Sequence, residues 1–135
     1  MALQYSVAVR NAKLDAVETA IGASAVLKLR TGAQPADCAA ADSGTVVATF
    51  TLPSDWMAAA SSGSKAKAGT WEDTSADNAG TVAHFRLYAS DGTTCHAQGT
   101  VTNTGGGGDM TLDNVAVNAG QAITITGFTL TAGNA

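Results

Sequence analysis

The sequence predicts a mainly β protein, an antiparallel β-sandwich or flattened barrel with one N-terminal α-helix. Three observations carry that expectation. Short apolar/polar alternations bounded by Gly, Asn and Asp recur from about Leu52 onward, and the string AHFRLYASDGTTCHAQGTV (residues 83–101) sets two of them on either side of Asp91-Gly92. A helical period is confined to residues 3–21, ahead of every alternating run.

In residues 3–21, Leu3, Val7, Leu14, Val17 and Ile21 fall at spacings of three, four and seven, near one side of a 3.6-residue helix, with Arg10, Lys13 and Glu18 outward. Ser6 is a candidate N-cap, although no capping-box acid follows it, and Gly22 sits where a left-handed residue would end the helix. The Leu14, Val17, Ile21 stripe packs on the protein's own sheet or docks a neighbouring subunit; its spacing fits both.

After Gly22 the period changes to two. Leu27 and Leu29 alternate with Lys28 and Arg30, and Val46, Ala48, Phe50 and Leu52 oppose Val47, Thr49 and Thr51, giving two half-buried strands. The intervening TGAQPADCAAADSG reads as a surface connection, and Pro53 ends the second strand because it cannot donate to a ladder. Residues 53–77 form a long structured loop in this reading, with a short helical turn through Trp56 to Ala60 and the start of a strand at Gly69 to Glu72.

The next pair is the clearest. Phe85, Leu87 and Ala89 alternate with His84, Arg86 and Tyr88, and Cys95, Ala97 and Val101 alternate with His96, Gln98 and Thr100, so one hairpin face is apolar and the other polar. His84 and His96 are expected as neighbouring, solvated imidazoles on the polar face. Residues 103–108 form a glycine-rich connector without the Lys-Ser/Thr of a phosphate loop. In the closing run Ile123 and Ile125 hold odd positions and Phe128 and Leu130 even ones, which marks a β-bulge at Gly127. The whole of 1–135 is one domain on this reading, helix 3–21 followed by a β-domain over 25–135.

Composition narrows the function classes. Only 13% of residues are charged and 5% aromatic, which describes a bland surface suited to close, tiled contact. The net charge is -4, and the seven Lys and Arg are scattered rather than clustered, so direct nucleic-acid binding is disfavoured. No run approaches the roughly 20 apolar residues of a membrane span, and MALQYSVAVRNAKLD shows no basic-plus-apolar secretory leader; synthesis and assembly in the cytoplasm are expected.

Candidate chemistry is sparse. Cys38 and Cys95 can be two reduced, packed thiols, one bridge closing about 60 residues, or half of a zinc site with His84 and His96. The zinc reading lacks paired short ligand spacings. Asp109, Asp113 and Asn114 do not match a calcium loop. No nucleophile-base pair or paired carboxylates stand out, so no enzyme activity and no cofactor are expected. The candidate interface comprises Leu3, Tyr5, Val7, Trp56, Met57 and Trp71; the tryptophans read either as core anchors or as interface anchors.

The strings NAKLDAVETAIG, LPSDWM, SKAKAGTW, HFRLYASDGTTCHAQGTV, GGDMTLDN and ITITGFTLTAGNA together resemble a family of small virion proteins encoded among the head genes of tailed bacteriophages. The likeness spans nearly the whole chain and carries over no active-site residues. It implies a phage particle component. Within a particle, a small, weakly charged β-domain with an accessory helix and long loops fits a capsid decoration (cement) protein on the outer head surface, which bridges capsid subunits through many modest contacts. Its expected partners are the major capsid protein and further copies of itself, with a trimer at quasi-threefold positions the natural homo-oligomer. The alternatives are a neck, tail or fibre component, or a host-surface carbohydrate-binding module.

Overall fold

A computed structural model describes residues 3–133. The single-domain expectation over 1–135 also takes in Met1, Ala2, Asn134 and Ala135, which lie outside the described residues. In chain order the elements are α1 (Val7–Ile21), β1 (Val26–Arg30), β2 (Val46–Thr51), β3 (Ser64–Ala66), β4 (Trp71–Asp73), β5 (Gly80–Thr81), β6 (His84–Tyr88), β7 (Cys95–Asn103), β8 (Met110–Leu112), β9 (Ala116–Val117), β10 (Ile123–Ile125) and β11 (Thr129–Thr131). The protein is mainly β with one N-terminal helix, as its sequence pattern requires.

The helix starts later than its apolar spacing suggests. Ser6 has extended dihedrals and its hydroxyl accepts from Val9 N at 3.2 Å, so α1 begins at Val7 and Leu3 precedes it. It closes at Gly22, whose N–H donates to Glu18 O. Leu14 and Ile21 are buried and Val17 packs partly against the core, whereas Val7 is exposed, so only the later part of the stripe faces the sheet.

The main sheet has the order β2-β1-β6-β7-β8. Leu27 lies between Phe50 and Leu87, and Leu29 between Ala48 and Phe85, which gathers the large apolar side chains on one face. All its pairs are antiparallel except β7 with β8, where Val101 faces Met110 in parallel register. The glycine run makes that short crossover possible: Gly105 and Gly107 take positive φ, and Gly108 N donates to Thr102 Oγ1 at 3.0 Å.

Three further antiparallel pairs, β10 with β4, β11 with β3 and β5 with β9, close over the apolar face. The residues from 53 to 77 thus contain two strands. The expected helical turn at Trp56 to Ala60 is absent, because Met57 bridges Lys67 and the N–H groups of Met57 and Ala60 donate to Glu18 and Asp15 of the helix. The phase change near Gly127 is also not a bulge; it separates β10 from β11, which belong to different ladders.

One cluster of buried residues joins these layers. Trp71 is its centre, with ring centroids 6.1 Å from Trp56 and 5.8 Å from Phe128, and Phe128 meets Phe85 edge-on at 5.8 Å.

Candidate functional site

Trp56, Met57 and Trp71 are core residues, exposed by 0%, 1% and 1%, and their assignment to a partner interface is corrected. The physical reason is volume: a chain so poor in aromatics needs both indoles to fill its interior. Their polar atoms are satisfied inside, Trp56 Nε1 donating to Gly22 O at 2.9 Å and Trp71 Nε1 to Ala68 O at 3.1 Å.

The other candidate interface residues lie on the surface. Leu3 is 72% exposed, Val7 50% and Tyr5 41%, and with Val9 at 42% they are the exposed large hydrophobics among the described residues. They share one segment, the lead-in to α1 and its first turn. Ser6 fixes that turn, and Arg10 Nε donates to Ala132 O at 2.6 Å, tying the start of the helix to the end of β11. Lys13 Nζ sits 4.6 Å from the Tyr5 ring centroid, a cation–π contact on the same patch.

The opposite, polar face of the main sheet is the second candidate. Sequence alternation placed His84, Arg86 and Tyr88 on the polar face and expected His84 to be solvated, but all three are buried, because the segment from Thr31 to Thr45 folds over them. Asp42 is the hub: it accepts from Arg30 Nη2 at 3.0 Å, from Tyr88 Oη at 2.7 Å and from Arg86 Nη1. Arg86 also donates to Gln98 Oε1 and to the carbonyls of Asp37 and Ala40. Desolvation raises the Asp42 carboxyl, yet the hydrogen bonds from Arg86 and Tyr88 and the charge of Arg30 outweigh it and hold it below its usual range. Burial and the bond to Asp42 push the Tyr88 phenol up. With its guanidinium so committed, Arg86 fastens a loop rather than greeting a substrate.

The two histidines do not meet. His84 pairs with Thr100, and its Nδ1 bonds Gly32 O at 2.9 Å. His96 occupies the register shift between the Leu87–Ala97 and Tyr88–Cys95 pairs and lines a shallow groove with Lys13, Ala16 and Ile21 of the helix. The same shift turns Cys95 to the polar face, where its Sγ contacts Cys38 Sγ at 2.9 Å. The zinc quartet is therefore split between two faces, and no group of three metal-ligating side chains occurs among the described residues.

A third polar centre joins helix to sheet. Lys65, 2% exposed on β3, donates to Asp15 Oδ1 at 2.7 Å and to Ala58 O at 2.9 Å, and its ammonium forms an ion pair with Glu18 Oε1 at 3.1 Å. Hydrogen bonding to Lys65 and to Ala60 N holds the Asp15 carboxyl below its usual range. Beside the helix an apolar groove of about 280 Å³ runs between Val17, Phe85, Leu87, Phe128 and Leu130, with Asp109 at its edge.

Sequence reasoning missed the Asp42 hub and the Lys65 centre. A signal existed for the first: a fifteen-residue connection rich in small residues and without helix or strand of its own, carrying Asp37 and Asp42, leaves β1 just after Arg30, and the neighbouring β6 carries Arg86. No described helix is long and apolar enough to cross a membrane. Comparison with known proteins finds no matching family model, no similar curated protein and no similar solved structure.

Proposed function

We propose that this chain is a non-enzymatic structural protein of tailed-phage particles, a decoration (cement) protein that binds the outer surface of the major capsid protein and stabilises the shell. The observation that carries the reading is the exposed apolar segment of Leu3, Tyr5, Val7 and Val9, set on a domain whose other large apolar side chains, among the described residues, are buried or half-buried. Large apolar side chains concentrated at one edge of a weakly charged domain support a docking role. The resemblance to small head-module proteins supports the particle and the partner. Self-association, as a trimer where three capsomer edges meet, follows from the same reading.

The deciding measurement is the ratio of this protein to the major capsid protein in purified particles. On the order of hundreds of copies per head is expected for decoration; about six or twelve would move the protein to the neck or tail.

A further inference from the structure

We propose that Cys38 and Cys95 form a modification site: a low-molecular-weight disulfide such as oxidised glutathione converts the pair into an intramolecular disulfide that locks the Thr31 to Thr45 loop onto the sheet. The inference is independent of any virion role. It rests on how the two thiols are brought into contact, Cys95 Sγ donating to Cys38 Sγ at 2.9 Å across 57 residues of chain.

Each thiol is held by its own anchors. Arg86 Nη2 donates to Asp37 O at 2.8 Å and to Ala40 O at 3.1 Å, which pins the chain on both sides of Cys38, and Gln98 Nε2 donates to Pro35 O at 2.8 Å just ahead of it. Cys95 is aimed by the register shift that sets it opposite Tyr88, on the face shared with Arg86 and Gln98. Neither anchor depends on the sulfurs, so the bond forms on a scaffold already in place. Both cysteines are half-buried, which leaves a path for a small oxidant.

The chemistry is two exchanges. One cysteine thiolate attacks a sulfur of oxidised glutathione, breaking its S–S bond and expelling one glutathione thiolate; the second cysteine then attacks the protein sulfur of that mixed disulfide and expels the other. The protein loses two electrons and two protons, and one oxidised glutathione becomes two thiols. Burial, and then the adjoining Cys38 sulfur, push the Cys95 thiol up to about 12, so Cys95 is not the first nucleophile at neutral pH.

The test treats reduced, full-length protein with oxidised glutathione at neutral pH and reads intact mass, peptide map and Tm. A monomer about 2 Da lighter is expected, with Cys38 and Cys95 in one linked peptide pair and no glutathione retained. Its Tm should rise by about 10 °C, because the bridge removes conformations from the unfolded chain, and fall back on reduction. The Cys95→Ser variant should stop at a glutathione adduct on Cys38 with no such rise. A persistent adduct on the wild-type protein, a disulfide-linked dimer, failure of Cys38 to take glutathione in the variant, or a bridge that leaves Tm unchanged would each overturn the proposal.

Discussion

Asp42 shows how one side chain sets the character of a whole sheet face. It gathers two guanidinium groups and a phenol that alternation alone assigns to the polar side of the sheet, and the loop that carries it becomes a lid over β6. Removing the phenol hydroxyl, Tyr88→Phe, leaves both arginines on Asp42 and creates no buried orphan. The half-exposed carboxylate can also recruit water, so the expected loss is about 1 kcal/mol, read from urea unfolding. A loss above about 3 kcal/mol would mean that the loop depends on that one bond. Trp56→Ala tests the opposite case. The indole is wholly buried and bonded to Gly22 O, so its truncation is expected to cost about 3 to 5 kcal/mol and to lower Tm sharply. A folded variant that only fails to bind capsids would return Trp56 to the interface. At this scale the apolar core was legible in the sequence, because Leu27, Leu29, Phe50, Phe85 and Leu87 declare their face by spacing. The buried charges were not: Arg86 and Lys65 look like any surface cation until a distant carboxylate is folded onto them.

The elements were legible where local chemistry decides them. Ser6 and Gly22 bound the helix, and Asp91-Gly92 turns the hairpin, since both signals act within a few residues. The turn's carboxylate accepts from Thr94 Oγ1, Thr94 N and Thr93 N, which holds the Asp91 carboxyl at about 2 rather than 3.8. The stability this contributes is therefore complete above about pH 4 and is lost as pH falls through about 2. Asp91→Asn keeps an acceptor but no charge, so its Tm should fall less steeply than wild type between those pH values; parallel curves would show that the hairpin carboxylate is not part of the acid response. Among the short strands, β4 shows in the sequence as the strand start at Gly69 to Glu72 and β10 and β11 as the alternation of Ile123, Ile125, Phe128 and Leu130; β3 and all the pairings were not legible, because three-residue strands carry almost no period and their partners are fixed by tertiary contacts with the helix and core. The same holds for the register shift at His96, which depends on what Cys95 and Tyr88 meet across the sheet. The apolar lead-in to α1 is the element on which the proposed docking rests. Leu3→Asp with Val7→Asp removes its apolar character where neither side chain packs inside, so folding and Tm should be nearly unchanged while co-sedimentation with capsids is lost. Retained co-sedimentation would place the docking surface elsewhere.

For the whole molecule, the separation of a sealed interior from one apolar edge bears on what a decoration protein must do. It must fold and stay soluble before heads exist, so its core and polar clamps have to close within the monomer; Lys65 and Asp42 do this by tying the helix and the long loop to the sheet. It must then bind many equivalent places, and a modest docking free energy suffices because each bound copy stabilises the assembled shell and not its dissociated subunits. The effect grows with the number of sites, so a contact too weak to detect between isolated monomers can still govern the intact head. Heads assembled without this protein are accordingly expected to form with normal size but to release DNA at lower temperature or lower ionic strength. Adding back the wild-type protein should restore their resistance, and the Leu3→Asp, Val7→Asp variant should not. Equal heat resistance of decorated and undecorated heads, followed by DNA release across a temperature ramp, would remove cementing as the role. Restoration by the double variant would instead keep the role and move its contact away from the N-terminal edge.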